Sequence, residues 1–148
     1  MTDVAVLPPL VLITGASSGI GQALAWRFYE AGYRLALVAR RSSEIESWAT
    51  AREIRAASYQ IYSADVCDTD AMVHMGAACL ASQGLPDVVI ANAGISIGID
   101  TAVRSDVEVM AKVFTTNNIG MMATFHPFVQ AMQERGSGTL VGVASVAA

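Results

Sequence analysis

Residues 11–21 read Val-Leu-Ile-Thr-Gly-Ala-Ser-Ser-Gly-Ile-Gly: an apolar strand, a turn of small residues and the start of a helix. Gly15 lets the backbone turn sharply at the strand end. Gly19, without a Cβ, lets a phosphate approach the main chain, and Gly21 lets the new helix pack tightly on the strand. The free N–H groups of that helix, at its positive dipole end, then face the phosphate. An ordinary strand-to-helix turn is the competing reading, but three glycines and two serines in seven residues are more than such a turn needs. The spacing Gly-x3-Gly-x-Gly differs from the commoner Gly-x-Gly-x-x-Gly fingerprint, and no Gly-Lys-Ser/Thr follows, which excludes a Walker-type loop.

Further chemistry is spaced along the chain. In Val38-Ala39-Arg40-Arg41, Ala39 stands where an acidic residue would accept a bond from a ribose 2′-hydroxyl and favour NAD. The two guanidinium groups that follow match phosphate oxygens bidentately, which favours NADP with its 2′-phosphate. Otherwise the pair solvates the start of the next helix. Asp65, in Ser-Ala-Asp-Val, can accept from an adenine amino group; its other role, starting a helix, is already filled by Asp68. In Asn92-Ala93-Gly94 the glycine permits close backbone approach to a cofactor, and Asn92 either lines it or ties neighbouring strand ends together. Ser145 follows an apolar run and suits a hydrogen bond to a substrate oxygen. Thr116-Asn117-Asn118-Ile119-Gly120 sets two poor helix formers side by side. Asn117 there binds a water or distorts the helix, with Asn118 as its competitor. His74 and His126 read as ordinary surface or packing residues and no metal site is expected. Asp87, Asp100 and Asp106 show no pairing that would support a two-carboxylate mechanism.

Strand-like and helical patterns alternate around these residues. Strands are expected at Leu10 to Thr14, Leu35 to Ala39, Tyr59 to Ser63, Val88 to Ala91 and Thr139 to Ala144. Ile20, Leu24, Phe28 and Ala31 recur at helical spacing and give the first helix an inward face, with Gly32 ending it. Ser43 and Glu46 form a capping box for a helix reaching about Ala57. Asp68 caps a helix through about Ser82. Ser105 and Glu108 repeat the capping-box pattern and open a long helix, about Asp106 to Arg135, kinked at Pro127. This alternation demands a doubly wound, mostly parallel sheet with right-handed crossovers, and places a ligand beyond the C-terminal ends of its strands. Gly15 to Gly21, Arg40 and Arg41, Asp65 and Val66, Asn92 to Gly94, and Ser145 all lie where a strand has just finished.

The bulk composition agrees. Of 148 residues 53% are hydrophobic and 15% charged, as expected of a parallel sheet covered on both faces. A formal charge of −4 argues against nucleic-acid binding. No apolar run approaches the roughly 20 residues of a membrane span. Met1 to Pro9 carries no positive residue and no cleavage pattern, and Cys67 and Cys79 make neither a Cys-x-x-Cys motif nor a disulfide scaffold, so a reducing cytoplasm is expected.

Thr14-Gly-Ala-Ser-Ser-Gly-Ile-Gly21, Asp65-Val66, Asn92-Ala-Gly94, Asn117-Asn-Ile-Gly120 and Val143-Ala-Ser145 together resemble the short-chain dehydrogenase/reductase family over nearly the whole chain. The extended epimerase branch spaces its glycines differently. The resemblance implies a Rossmann-like fold and hydride transfer between a nicotinamide and a small carbonyl or alcohol substrate. Carried over residue by residue, Gly15, Ser17, Gly19, Ile20 and Gly21 cradle the diphosphate of NADP, and Arg40 with Arg41 holds its 2′-phosphate. Asp65 and Val66 meet adenine, Asn92 and Gly94 line the cofactor, Ser145 polarises the substrate oxygen and Asn117 holds a proton-relay water. The family's acid/base pair, a tyrosine beyond that serine and a lysine after it that lowers the tyrosine's pKa, has no counterpart: the sequence ends three residues after Ser145. None of Tyr29, Tyr33, Tyr59 and Tyr62 can stand in. The expectation is one NAD(P)-binding domain over 1–148, truncated after its fifth strand, from an enzyme that is a homo-oligomer at full length and inactive at this one. The other explanation is a nucleotide-sensing or interaction module without catalysis.

Overall fold

The computed structural model describes residues 7–145; most of the Met1–Pro9 stretch read for a targeting signal, and the last three residues, lie outside them. The elements follow as β1 (Leu10–Thr14), α1 (Gly19–Glu30), β2 (Arg34–Ala39), α2 (Ser42–Ala51), a single 3-10 turn (Ala56–Ser58), β3 (Tyr59–Ser63), α3 (Thr69–Ser82), β4 (Val88–Ala91), α4 (Asp106–Phe114), a π-helical turn (Thr115–Ile119), α5 (Gly120–Arg135) and β5 (Thr139–Gly142). The strands form one parallel sheet in the order β3-β2-β1-β4-β5. This is the doubly wound, Rossmann-like arrangement expected, and the order reverses between β1 and β4.

The central strands are buried on both faces, which is why they read as unbroken apolar runs. Leu10 and Leu12 of β1, with Ala36, Val38 and Val89, face a core closed by Met72 and Cys79 of α3 and Phe128 and Met132 of α5. Val11 and Ile13, with Leu35, Leu37 and Ile90, face Ala25 of α1 and Ile45 and Ala49 near α2's centre, all buried. β5 forms one edge; Leu140 is 41% exposed and only Val141 packs inward. No helix among the described residues is long and apolar enough to cross a membrane.

Several local expectations are corrected. Ile20 points outward, 62% exposed, and the inward face of α1 is Gly21, Leu24, Ala25 and Phe28. The apolar periodicity was right in phase for Leu24 and Phe28, but Gly21 takes the close contact at the strand. Ser43 lies inside α2 and makes no cap, because the N-cap position falls two residues earlier, at Arg41; the helix stops at Ala51. Ser105 has helical backbone angles, so its hydroxyl is not presented to the N–H groups ahead and forms no cap bond. Asp68 does cap α3, accepting from Ala71 N at 2.9 Å. The long helix is interrupted at the π-helical turn, while Pro127 lies within α5. β5 ends at Gly142, although Val143 N still donates to Ala91 O at 3.0 Å.

Pro127 has a packing role. A Cβ on Gly76 of α3 would overlap the Pro127 ring, so these two residues set the distance between α3 and α5. Replacing glycine in a helix normally gains a few tenths of a kcal/mol up to about 1 kcal/mol of helix propensity, whereas overpacking costs about 1–3 kcal/mol. The clash should therefore win: Gly76→Val is expected to lower the urea midpoint, and an unchanged or raised midpoint would show that the two helices separate freely.

Candidate functional site

At the C-terminal ends of the strands, β1 and β4 part because the chain leaves them towards opposite faces of the sheet. The parting opens a crevice of about 880 Å³, within the usual range of small-molecule sites, roughly 300–1,000 Å³. Gly15, Ser17, Ile20, Arg40, Arg41, Asp65, Val66, Asn92 and Gly94 all line it. Ser18, Val38, Ala39, Ala64, Ala93, Cys67, Ile95–Ile97, Lys112, Thr115 and Thr116 complete the lining. Sequence reasoning gave Cys67, Ile95–Ile97, Lys112, Thr115 and Thr116 no role at a ligand; the last three reach the crevice only through α4 and the turn after it.

The floor is a compact hydrogen-bonded knot. Thr14, buried at the end of β1, accepts at Oγ1 from the backbone N–H groups of Asn92 (3.1 Å) and Ala93 (3.2 Å), and its hydroxyl donates to Ile90 O at 3.4 Å. The Asn92 amide returns to the carbonyls of Thr14 and Gly15, at 3.1 and 3.3 Å. Asn92 thus ties the two strand ends together, as one of its two readings had it. Thr14 ends the first strand and opens the matched glycine motif without a role of its own in the sequence reading; its polar side chain at the end of an apolar run is the signal that could have found one.

The glycines fit a cradle. Gly15 has φ +67°, and a Cβ there would lie 2.8 Å from Ala93 Cα; a Cβ on Gly21 would strike the Gly15 carbonyl. Gly19 has φ +51° with open space above it. Neither Gly19 nor Gly21 lines the crevice wall; they shape the turn and seat α1. Ser18 precedes α1 in an extended conformation and makes no side-chain cap bond, as is also the case at α2 and α4, so no capping side chain covers the positive end of α1.

Across the mouth, Arg40 meets Asp65 at 3.9 Å and Arg41 Nε meets Glu44 at 3.0 Å. The other Asp65 oxygen accepts from Cys67 N at 2.9 Å, which fixes the turn after β3. Val66 packs where Gly120 starts α5, a Cβ on which would lie 2.8 Å from Val66 Cγ2.

A family model described as short chain dehydrogenase matches residues 9–148. The chain belongs to the short-chain dehydrogenase family. It is similar to a dehydrogenase/reductase SDR family protein 7-like protein of Drosophila melanogaster, 34% identical over 143 residues, covering 93% of this chain and 43% of the relative. It is also similar to the NADP-dependent 3-hydroxy acid dehydrogenase of Salmonella typhi, 29% identical over 138 residues, covering 93% of this chain and 54% of the relative. Among solved structures, the closed form of a serine dehydrogenase complexed with NADP+ superposes with a TM-score of 0.83 at 27% identity, covering 93% of this chain and 54% of that one. The chain therefore spans about half the length of the curated relatives it matches. The family comprises oxidoreductases that use a nicotinamide cofactor on small molecules.

Besides Gly19 and Gly21, two more of the residues expected from the family pattern, Asn117 and Ser145, do not line the crevice. Asn117 lies in the π-helical turn; Ile95 N donates to its Oδ1 and its Nδ2 donates to Ile95 O, both at 2.8 Å. Asn118 lies in the same turn and is exposed. Ser145 is exposed beyond β5. His74 and His126 are exposed on α3 and α5.

No tyrosine lines the crevice. Tyr62 points into the α3 core, bonding Ser82 and Gln83 at 2.9 Å, and burial pushes its pKa up to about 12 from an ordinary 10.0. Burial likewise pushes the neighbouring Cys79 thiol up to about 11 from 9.0. Both shifts favour the neutral form in the fold, so their contribution is complete below pH 9 and is lost as pH rises through the two raised values. The denaturation midpoint is expected to hold steady up to about pH 9 and fall towards pH 12, with Tyr62→Phe flattening the upper part of that fall. The knot gives a second expectation. Thr14→Val keeps the volume but leaves two strand-end N–H groups without their acceptor, which should cost about 1–3 kcal/mol in denaturant unfolding.

Proposed function

We propose that the 148 residues are one dinucleotide-binding unit, the NADP-binding part of an oxidoreductase acting on a carbonyl or alcohol. The observation that carries this reading is the pairing of an uncapped helix end at the Gly15–Gly21 turn with Arg40 and Arg41 at the end of β2, where Ala39 replaces an acid. A diphosphate fits the first, and a 2′-phosphate the second. The names of the Salmonella relative and the superposed serine dehydrogenase, both linked to NADP, support the choice.

When bound, the cofactor supplies hydride exchange at its nicotinamide. This chain's residues bind and orient. Gly15, Ser17, Gly19, Ile20 and Gly21 cradle the diphosphate, Arg40 and Arg41 take the 2′-phosphate, and Asp65 and Val66 meet adenine. Asn92 and Gly94 form the floor beneath. Ser145 orients and polarises the substrate oxygen, and Asn117 positions a relay water, its side chain fixing the π-helical turn against Ile95. The free thiols Cys67 and Cys79 fit a reducing cytoplasm, and the whole protein works as a homo-oligomer.

A second reading, a nucleotide-sensing or interaction module, is favoured by one observation: every tyrosine of the sequence lies away from the crevice. Both readings expect the 148 residues to bind without turnover, so carbonyl reduction with NADPH at ordinary enzyme rates by these residues alone would overturn both.

Cofactor choice is tested at Arg40. Arg40→Ala should weaken NADPH binding about tenfold, the equivalent of about 1.4 kcal/mol, and leave NADH nearly unchanged. Equal losses for the two would remove the 2′-phosphate assignment.

A further inference from the structure

The two arginines at the mouth are held differently. The Arg40–Asp65 pair, at 3.9 Å, is at the outer limit of an ion pair, and Asp65 is also engaged with Cys67 N. Arg40 is thus free to turn towards a new anion. Arg41 is held at 3.0 Å by Glu44, three residues on in the first turn of α2. Arg41 is the N-cap residue of that helix, so its charge sits against the positive helix end, where a cation is disfavoured and an anion favoured. Glu44 supplies that anion from within the chain. It does not line the crevice and can reach a ligand's phosphate only through Arg41.

A 2′-phosphate arriving at Arg41 therefore meets a place already taken. The phosphate gains Arg41's charge only as far as the guanidinium gives up the Glu44 carboxylate it meets at 3.0 Å. We propose that Glu44 is an internal competitor of the 2′-phosphate and sets how strongly the site prefers NADP over NAD. It leaves Arg40 as the main phosphate ligand and keeps Arg41 in reserve. This inference rests on the reading of the crevice as an NADP site. Glu44 is a positioning residue, acting through Arg41.

The test is calorimetric titration with adenosine 2′,5′-bisphosphate and with AMP, which differ by the 2′-phosphate alone. Glu44→Gln is expected to tighten the bisphosphate several-fold and leave AMP unchanged. Glu46→Gln removes the same charge from an exposed position on α2 and should change neither. In an Arg41→Ala background, Glu44→Gln should give no gain. Glu44 has no such role if Glu44→Gln leaves the bisphosphate unchanged or weaker, tightens both ligands alike, or still tightens it without Arg41. If the unaltered protein binds the bisphosphate no better than AMP, and Arg40→Ala changes neither, the NADP reading itself falls, and Glu44 with it. A clear preference for the bisphosphate with no response to Glu44→Gln overturns the Glu44 role alone.

Discussion

The hydroxyl of Thr14 is the group on which the crevice depends. The parallel ladder between β1 and β4 pairs Val11 with Val88, Leu12 with Val89 and Ile13 with Ile90, and there it stops. Beyond it the strands must part, since α1 packs on one face of the sheet and α5 on the other. Parting strands leave backbone N–H groups unmatched in a half-buried place, which costs free energy unless another acceptor is found. Thr14 accepts from two of them, and Asn92 returns its amide to the carbonyls of Thr14 and Gly15. The gap opens without orphaned groups, and its floor is rigid enough to hold Gly15 and Gly94 where a cofactor would lie.

A second constraint governs the wall on the β4 side. The loop after Ala91 makes no ladder of its own over Ile95, and Asn117 takes the place of a partner strand by bonding both the N–H and the carbonyl of that residue. An ordinary helix carries Asn117 past this point at a fixed rotation. The π-helical turn at Thr115–Ile119 admits one extra residue per turn and shifts the face presented by everything after it. Gly120 then meets Val66, Phe128 reaches the core, and Pro127 meets Gly76. The distortion near the site and the close packing remote from it are two consequences of the same turn.

The strands, the sheet class and most of the crevice were legible because they rest on local signals. Continuous apolar runs mark strands buried on both faces, and the glycine spacing marks a turn whose φ values and close contacts few other residues allow. What was not legible depends on partners distant in sequence. Ser43 and Ser105 carry the right residue types for capping boxes, but a cap also needs an extended residue at the helix entrance, and tertiary packing sets that. Ile20 fits the helical period yet faces out, since the contact with β1 falls to Gly21. Thr14 opens the glycine motif, but its bonding role exists only because Asn92 arrives from 78 residues away. Asn117 was visible as a helix anomaly, but Ile95 as its partner was not.

Charge shows the same division between global and local. A net charge of −4 suggests no affinity for an anion. The crevice inverts that sign: Arg40, Arg41 and Lys112 line it against the single carboxylate of Asp65, and the uncapped end of α1 adds its dipole. At contact distance a few fixed groups outweigh a diffuse surface charge screened by salt. The acids nearest these cations then matter more than the rest of the surface, because each offers an arginine an alternative to a ligand. Asp65 holds Arg40 loosely across the mouth, and Glu44 holds Arg41 tightly on its own helix. On the proposed NADP reading, affinity for a 2′-phosphate is the difference between two arginine–anion contacts, and the protein's own carboxylates fix one side of it.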